Sequence, residues 1–115
     1  MEHLNRIELK GTVGSVQVRT VREESVTLLT VATNYVYKAI DGSHVIETTW
    51  HNVTAWKDAE TEDAENLKKG DEVHILGRIR QQKYVATSGE ERSSYNVLAS
   101  YVKRIPKENK SDSEK

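Results

Sequence analysis

Glycine interrupts two of the β-forming stretches of this chain from the inside, and that limits what the chain can become. Gly11 and Gly14 sit among Leu9, Val13 and Val16, and Gly77 lies between Leu76 and Ile79. Glycine inside a strand marks a bulge or a sharp bend, and two in one strand predict strong coiling, as at the corner of a small barrel. The filling of such a barrel is restricted as well. The 115 residues include no Phe and no Cys, so Val, Ile, Leu, Ala and some of the Tyr are expected to build a modest core for one domain.

The remaining pattern supplies the strands. Leu4 to Val18 reads as the first, Val26 to Tyr37 as the second and Val45 to Trp56 as the third, with Asp41-Gly42-Ser43 as a hairpin turn between the last two. Asp58 then predicts a helix cap over Ala59 to Lys69, with Gly70 at its end, acids at its front and Lys68-Lys69 at its back. Only Ala59, Ala64 and Leu67 look buriable in that segment. Asp71 to Val85 and Ser93 to Ile105 complete the strands around Ser88-Gly89-Glu90. Pro106 ends the domain, and 106–115 reads as a disordered polar tail. Three strands, a helix and two strands with interior glycines fit an all-β OB-fold, a five-stranded Greek-key β-barrel with one helix between strands 3 and 4.

The run Thr48 to Lys57 carries the functional signal. Alternation places Trp50, Asn52, Thr54 and Trp56 on one face, and His51, Val53, Ala55 and Lys57 on the other, more aliphatic one. Indole rings set among hydrogen-bonding groups suit unstacked nucleobases, because every base has a π-face. Aromatics are also enriched where proteins meet, so a protein contact stays open at this point.

Composition narrows the alternatives. The absence of Cys excludes disulfides, cysteine-based zinc sites and thiol catalysis. His3, His44, His51 and His74 have no ligand spacing, so no metal or other cofactor is expected. The acids from Asp58 to Glu65 lack an accompanying general base and read as helix-start solvation, so an enzyme is not expected. No apolar run reaches membrane-spanning length and no secretory leader opens the chain, which points to the cytosol. The formal net charge of −1 is silent about nucleic acid, because binding depends on where charge sits.

Several stretches, in order, resemble one family. Asn5-Arg6-Ile7-Glu8-Leu9-Lys10-Gly11, Leu29-Thr30-Val31-Ala32-Thr33-Asn34, Thr49-Trp50-His51-Asn52-Val53, Ala64 to Val73 with Leu76 to Arg80, and Glu91 to Val97 resemble bacterial single-stranded DNA-binding proteins. The resemblance runs from about residue 5 to about residue 105. It implies sequence-tolerant binding of single-stranded DNA in replication, recombination or repair, by a homo-oligomer that is expected to be a tetramer, with a dimer left open. RNA also stays open, since stacking does not distinguish the sugars. The family's stacking positions fall on Tyr37, Trp50, Trp56 and Tyr84, all aromatic here. Its phosphate contacts imply Arg6, Lys38, Lys57, Lys68, Lys69, Arg80 and Lys83, and its subunit contacts imply His51.

Two positions depart from the family. Asn52 stands where a basic residue follows the signature His, and Gln82 where another precedes Lys83. Each missing contact flattens the salt dependence by roughly one counterion's worth, so moderate affinity is expected. The ending Ser111-Asp112-Ser113-Glu114-Lys115 lacks the acidic tip with Pro and an aromatic by which the family recruits replication enzymes, which puts that recruitment in doubt. A tailless primosome-type relative, or an OB module whose aromatics contact protein, is the alternative reading.

Overall fold

A computed structural model of the chain describes residues 1–106. Five strands, β1 (Ile7–Val21), β2 (Glu24–Lys38), β3 (His44–Trp56), β4 (Glu72–Val85) and β5 (Glu91–Ile105), close into a barrel in the order β1-β2-β3-β5-β4. Every neighbouring pair is antiparallel except β3–β5, which is parallel and joined only at Val53–Val97 and Thr54–Leu98. This is the expected Greek-key barrel, with the helical segment Ala59–Asn66 between β3 and β4. The polar tail from residue 107 onward lies outside the described residues.

The interior glycines sit where the strands crowd. The β1–β2 register shifts between Val13 and Ser15, around Gly14, and the β4–β5 register shifts between Leu76 and Gly77. A methyl group at Gly11 would collide with the Ala32 carbonyl, and one at Gly77 with the Leu98 carbonyl. Glycine therefore lets one backbone approach another as the sheet coils.

The core is aliphatic: Leu9, Val13, Leu29, Val31, Val53, Ala55, Val73, Ile75, Val97 and Val102, closed below by Ala64 and Leu67. The expectation that Tyr helps to fill it is corrected. Tyr35, Tyr37, Tyr84 and Tyr95 are exposed and Tyr101 is half-buried. A small barrel fills with branched side chains, and a phenol placed inside would need a partner for its hydroxyl.

The helical segment is shorter and tighter than its sequence suggests. It is a 3₁₀ helix that ends at Asn66, and Asp58 makes no side-chain cap. Thr61 is buried instead of Ala59, and its hydroxyl donates to the Trp56 carbonyl at 2.6 Å. Asp63 accepts from the Arg104 amide at 3.0 Å, which ties the segment to β5. These anchors, set among Glu60, Glu62 and Glu65, hold a segment that has too few apolar positions to pack as an α-helix.

Two turns form where glycine marks them. Gly42 and Gly89 have φ of 91° and 87°, and Asp41 accepts from both the amide and the hydroxyl of Ser43, which holds its carboxyl below the usual range. The β1–β2 turn carries no such mark. Arg22 and Glu23 occupy it with φ of 50° and 71°, so β1 runs on to Val21, past the Val18 that its composition suggests.

Candidate nucleic-acid interface

Trp50 projects from the outer face of β3, opposite Ala32 of β2. Its ring reaches as far as β1. A methyl group at Gly14 would run into the indole Cζ3 and lie 2.9 Å from Cη2. Small side chains on β2 and the missing one at Gly14 thus make a shelf for the ring. Hydrogen bonds between Ser15 and Thr30 hydroxyls at 2.8 Å, and from the Thr48 hydroxyl to Asn34 at 2.7 Å, flank it. The tryptophan remains 60% exposed, so a large apolar ring lies against backbone with much of its surface open to solvent.

Ladder register decides which other predicted rings share this face. Trp56 lies on it, opposite buried Val26, and is 37% exposed. The face continues across Thr54–Leu98 into β5 and β4, where it includes Arg78, Arg80 and Tyr84. Tyr84 is 48% exposed, opposite Arg92, whose guanidinium pairs with Glu90 at 3.4 Å. Lys38, opposite His44, is on the same side. Tyr37 is not: with Tyr35, Val45 and Glu47 it occupies the opposite face of the β2–β3 hairpin. It is 43% exposed and stacks on Tyr35 with ring centroids 6.2 Å apart. Lys83 likewise shares a face with Ser93 and not with Tyr84.

The remaining cations are spread over the molecule. Arg6 is exposed ahead of β1. Lys57 pairs with Glu65 at 3.5 Å. Lys68 and Lys69 are exposed in the turn before β4, and the neighbouring Gly70 amide donates to the Val13 carbonyl, which brings that turn beside Gly14. Arg80 is half-buried, and its Nε has no hydrogen-bond partner among the described residues. His51 points inward above Val53 and is half-buried, and its Nε2 shares a 2.9 Å hydrogen bond with the Thr33 hydroxyl. On the other side of the barrel, Glu8 bonds His74, and that bond with the charges of His74, Lys10 and Arg6 holds its carboxyl below the usual range. Among the described residues no cluster of His, Cys, Asp and Glu could hold a metal ion, and no helix is long and apolar enough to cross a membrane.

Comparison with known proteins places this barrel. The sequence pattern of the single-strand binding protein family matches residues 4–105. The chain belongs to that family. The single-stranded DNA-binding protein of Neisseria meningitidis serogroup A is 34% identical over 104 residues, which cover 89% of this chain and 60% of that protein. The mitochondrial single-stranded DNA-binding protein of Drosophila melanogaster is 30% identical over 101 residues, 86% of this chain and 69% of that one. The chain thus spans about 60% of the length of its Neisseria relatives. Among solved structures, the Plasmodium falciparum SSB in complex with ssDNA superposes with a TM-score of 0.81 at 19% identity, over 92% of this chain and 98% of that one. A deletion mutant of the single-stranded DNA binding protein from Thermus aquaticus superposes with a TM-score of 0.75 at 20% identity, over 90% of this chain and 51% of that one. These likenesses carry the fold.

Within this single-strand binding protein barrel, two exposed rings escape a reading confined to family positions. Tyr95 is 64% exposed at the barrel mouth, in a groove it shares with Trp50, His51 and Asn52. Tyr35 stacks on Tyr37. Both were open to discovery by alternation alone, since each stands two residues from a residue on its own face, Val97 and Tyr37.

Proposed function

We propose that this chain binds single-stranded DNA with little regard to sequence, and that it keeps unpaired strands protected during replication, recombination or repair. Bases stack on Trp50, Trp56 and Tyr84 along the outer face, while Tyr37 serves a segment that passes around the β2–β3 hairpin. Arg6, Lys38, Lys68, Lys69, Arg80 and Lys83 track the phosphates, and Lys57 contributes less because Glu65 already neutralises it. Each stacked base is worth about 1–3 kcal/mol, before the cost of ordering the strand. The function needs no bond chemistry and no cofactor. The observation that carries this reading is the Trp50 ring, its outer edge seated over a side-chain-free Gly14 yet 60% open to solvent.

The functional unit in this reading is a homotetramer in the cytoplasm, with His51 near subunit contacts. Exposed Val36 opposite exposed Ile46 on the β2–β3 hairpin supports association, since apolar pairs of this kind mark interaction surfaces.

A titration of the full chain with oligo-dT tests the proposal. Tryptophan emission falls as DNA binds, and affinity weakens as salt rises. Unchanged emission with no binding at low salt refutes it.

A further inference from the structure

We propose that Tyr35 and Glu47 add a base-selective platform to the β2–β3 hairpin, on the face opposite Trp50, where a base with an exocyclic amino group, cytosine above all, binds better than thymine. This rests on the single-stranded DNA reading above and goes beyond it, because it gives one position of a sequence-tolerant surface a preference.

Strand register builds the platform. Tyr35 lies opposite Glu47 and Tyr37 opposite Val45, so all four share one face of the hairpin. The two phenol rings stack with centroids 6.2 Å apart and planes 29° from parallel. They remain 67% and 43% exposed, and together they offer a wider π surface than Tyr37 alone. Glu47 is exposed as well. Its Cβ stands about 4.5–5.5 Å from that of Tyr35, the spacing of directly opposed residues in an antiparallel pair. Among the described residues Glu47 enters no ion pair.

The chemistry of this face selects its occupant. The apolar pair Val36 and Ile46 lies on the other side of the hairpin, and that side suits another copy of the chain. A carboxylate beside two phenols suits a protein contact poorly, because acids are depleted at the centres of such contacts. It also repels phosphate, so a strand lying here presents a base and turns its backbone away. The rings accept any base, since every base has a π-face. The carboxylate discriminates, because it accepts hydrogen bonds and cannot donate them. The amino group of cytosine donates to such an acceptor. Thymine presents a carbonyl oxygen at the same place, and its ring N–H lies between two carbonyl oxygens. The two pyrimidine rings are nearly equal in area, so the edge decides between them.

Titration of the full chain with oligo-dC and oligo-dT of equal length at neutral pH tests this through the ratio of the two affinities. Glu47→Gln lowers the affinity for oligo-dC relative to oligo-dT on the order of fivefold, whatever the lost charge does to both together. Tyr35→Leu weakens binding to both on the order of fivefold, and Tyr35→Phe stays within about twofold. Denaturant unfolding checks that these exposed substitutions leave the fold intact. The inference falls if the wild type binds oligo-dT and Glu47→Gln leaves the ratio unchanged; Glu47 then acts only as a charge, and the general single-stranded DNA reading survives. It also falls if Tyr35→Leu binds both oligonucleotides as wild type does, whether the rings stay bare or a second copy covers them, the latter seen as a changed oligomer mass in light scattering. Failure of the wild type to bind either oligonucleotide at low salt overturns both readings.

Discussion

Gly14→Ala separates the two jobs of the β1 glycines. The new methyl group would overlap Cζ3 of Trp50, lie 2.9 Å from Cη2 and 3.0 Å from the Thr30 hydroxyl. Ordinary contacts of this kind are about 3.5–4.0 Å, so the indole must lift or rotate by the order of an ångström. The obstacle is the end of a side chain that is mostly in solvent, and Gly14 does not have the left-handed φ that would penalise alanine. Stability should therefore change by less than about 1 kcal/mol, since the smaller freedom of the unfolded chain offsets lost contacts. Binding should suffer more. A tilted ring no longer presents a parallel face to the base, and the loss approaches the lower half of the 1–3 kcal/mol assigned to a stacked base, or about tenfold in Kd. Fluorescence titration with oligo-dT measures it, and denaturant unfolding supplies the stability control. Gly11→Ala is the contrasting case. Its methyl group meets the Ala32 carbonyl, which is backbone and cannot swing away, so about 1–3 kcal/mol of stability is lost. Wild-type affinity and unshifted emission in Gly14→Ala would refute the shelf as the device that positions Trp50.

Three further outcomes follow from particular residues. Replacing the turn by Arg22→Asn with Glu23→Gly removes two non-glycine residues from positive φ and should stabilise the fold by about 1–2 kcal/mol, raising Tm by about 5 °C in a thermal melt. Glu8→Gln should lower stability at neutral pH, because the folded-state pKa of Glu8 is depressed by His74. A depressed carboxylate stabilises above its unfolded value and loses that contribution as pH falls through the folded one, so the two proteins should converge in denaturant titrations below the usual carboxylate range. Lys57→Ala should leave the salt slope of oligo-dT binding nearly unchanged, since Glu65 already holds that ammonium, whereas Lys38→Ala should flatten it by about 0.7.

Much of the barrel was legible because its signals are local. Gly14 and Gly77 marked the two register shifts, and Gly42 and Gly89 marked the turns. The β3 alternation correctly sent Val53 and Ala55 inward and Trp50 outward. What escaped depends on tertiary contacts. Nothing in Arg22-Glu23 announces a turn of positive φ, because strand pairing on both sides imposes it. The 3₁₀ segment Ala59–Asn66 is held by the Asp63 hydrogen bond to the distant Arg104 amide, together with the Thr61 bond to the Trp56 carbonyl just ahead of it. Among the site residues, the aromatic positions were visible singly, but the separation of Tyr37 from Trp50 onto opposite faces needs the β2–β3 register.

The closed ring has one long seam and one short one. β1 meets β4 from Ile7–Gly77 to Thr12–Glu72, whereas β3 meets β5 only at Val53–Val97 and Thr54–Leu98. The β1-β2-β3 meander and the β4–β5 hairpin each form from neighbouring segments, and both seams join the two halves over long sequence separation. Folding then brings two preformed pieces together late, with the short seam last, because distant pairing carries its entropic cost before its reward. Once folded, the ring unlatches first at the same place, and amide exchange at Val53 and Val97 should outpace that of Leu9 and Ile75.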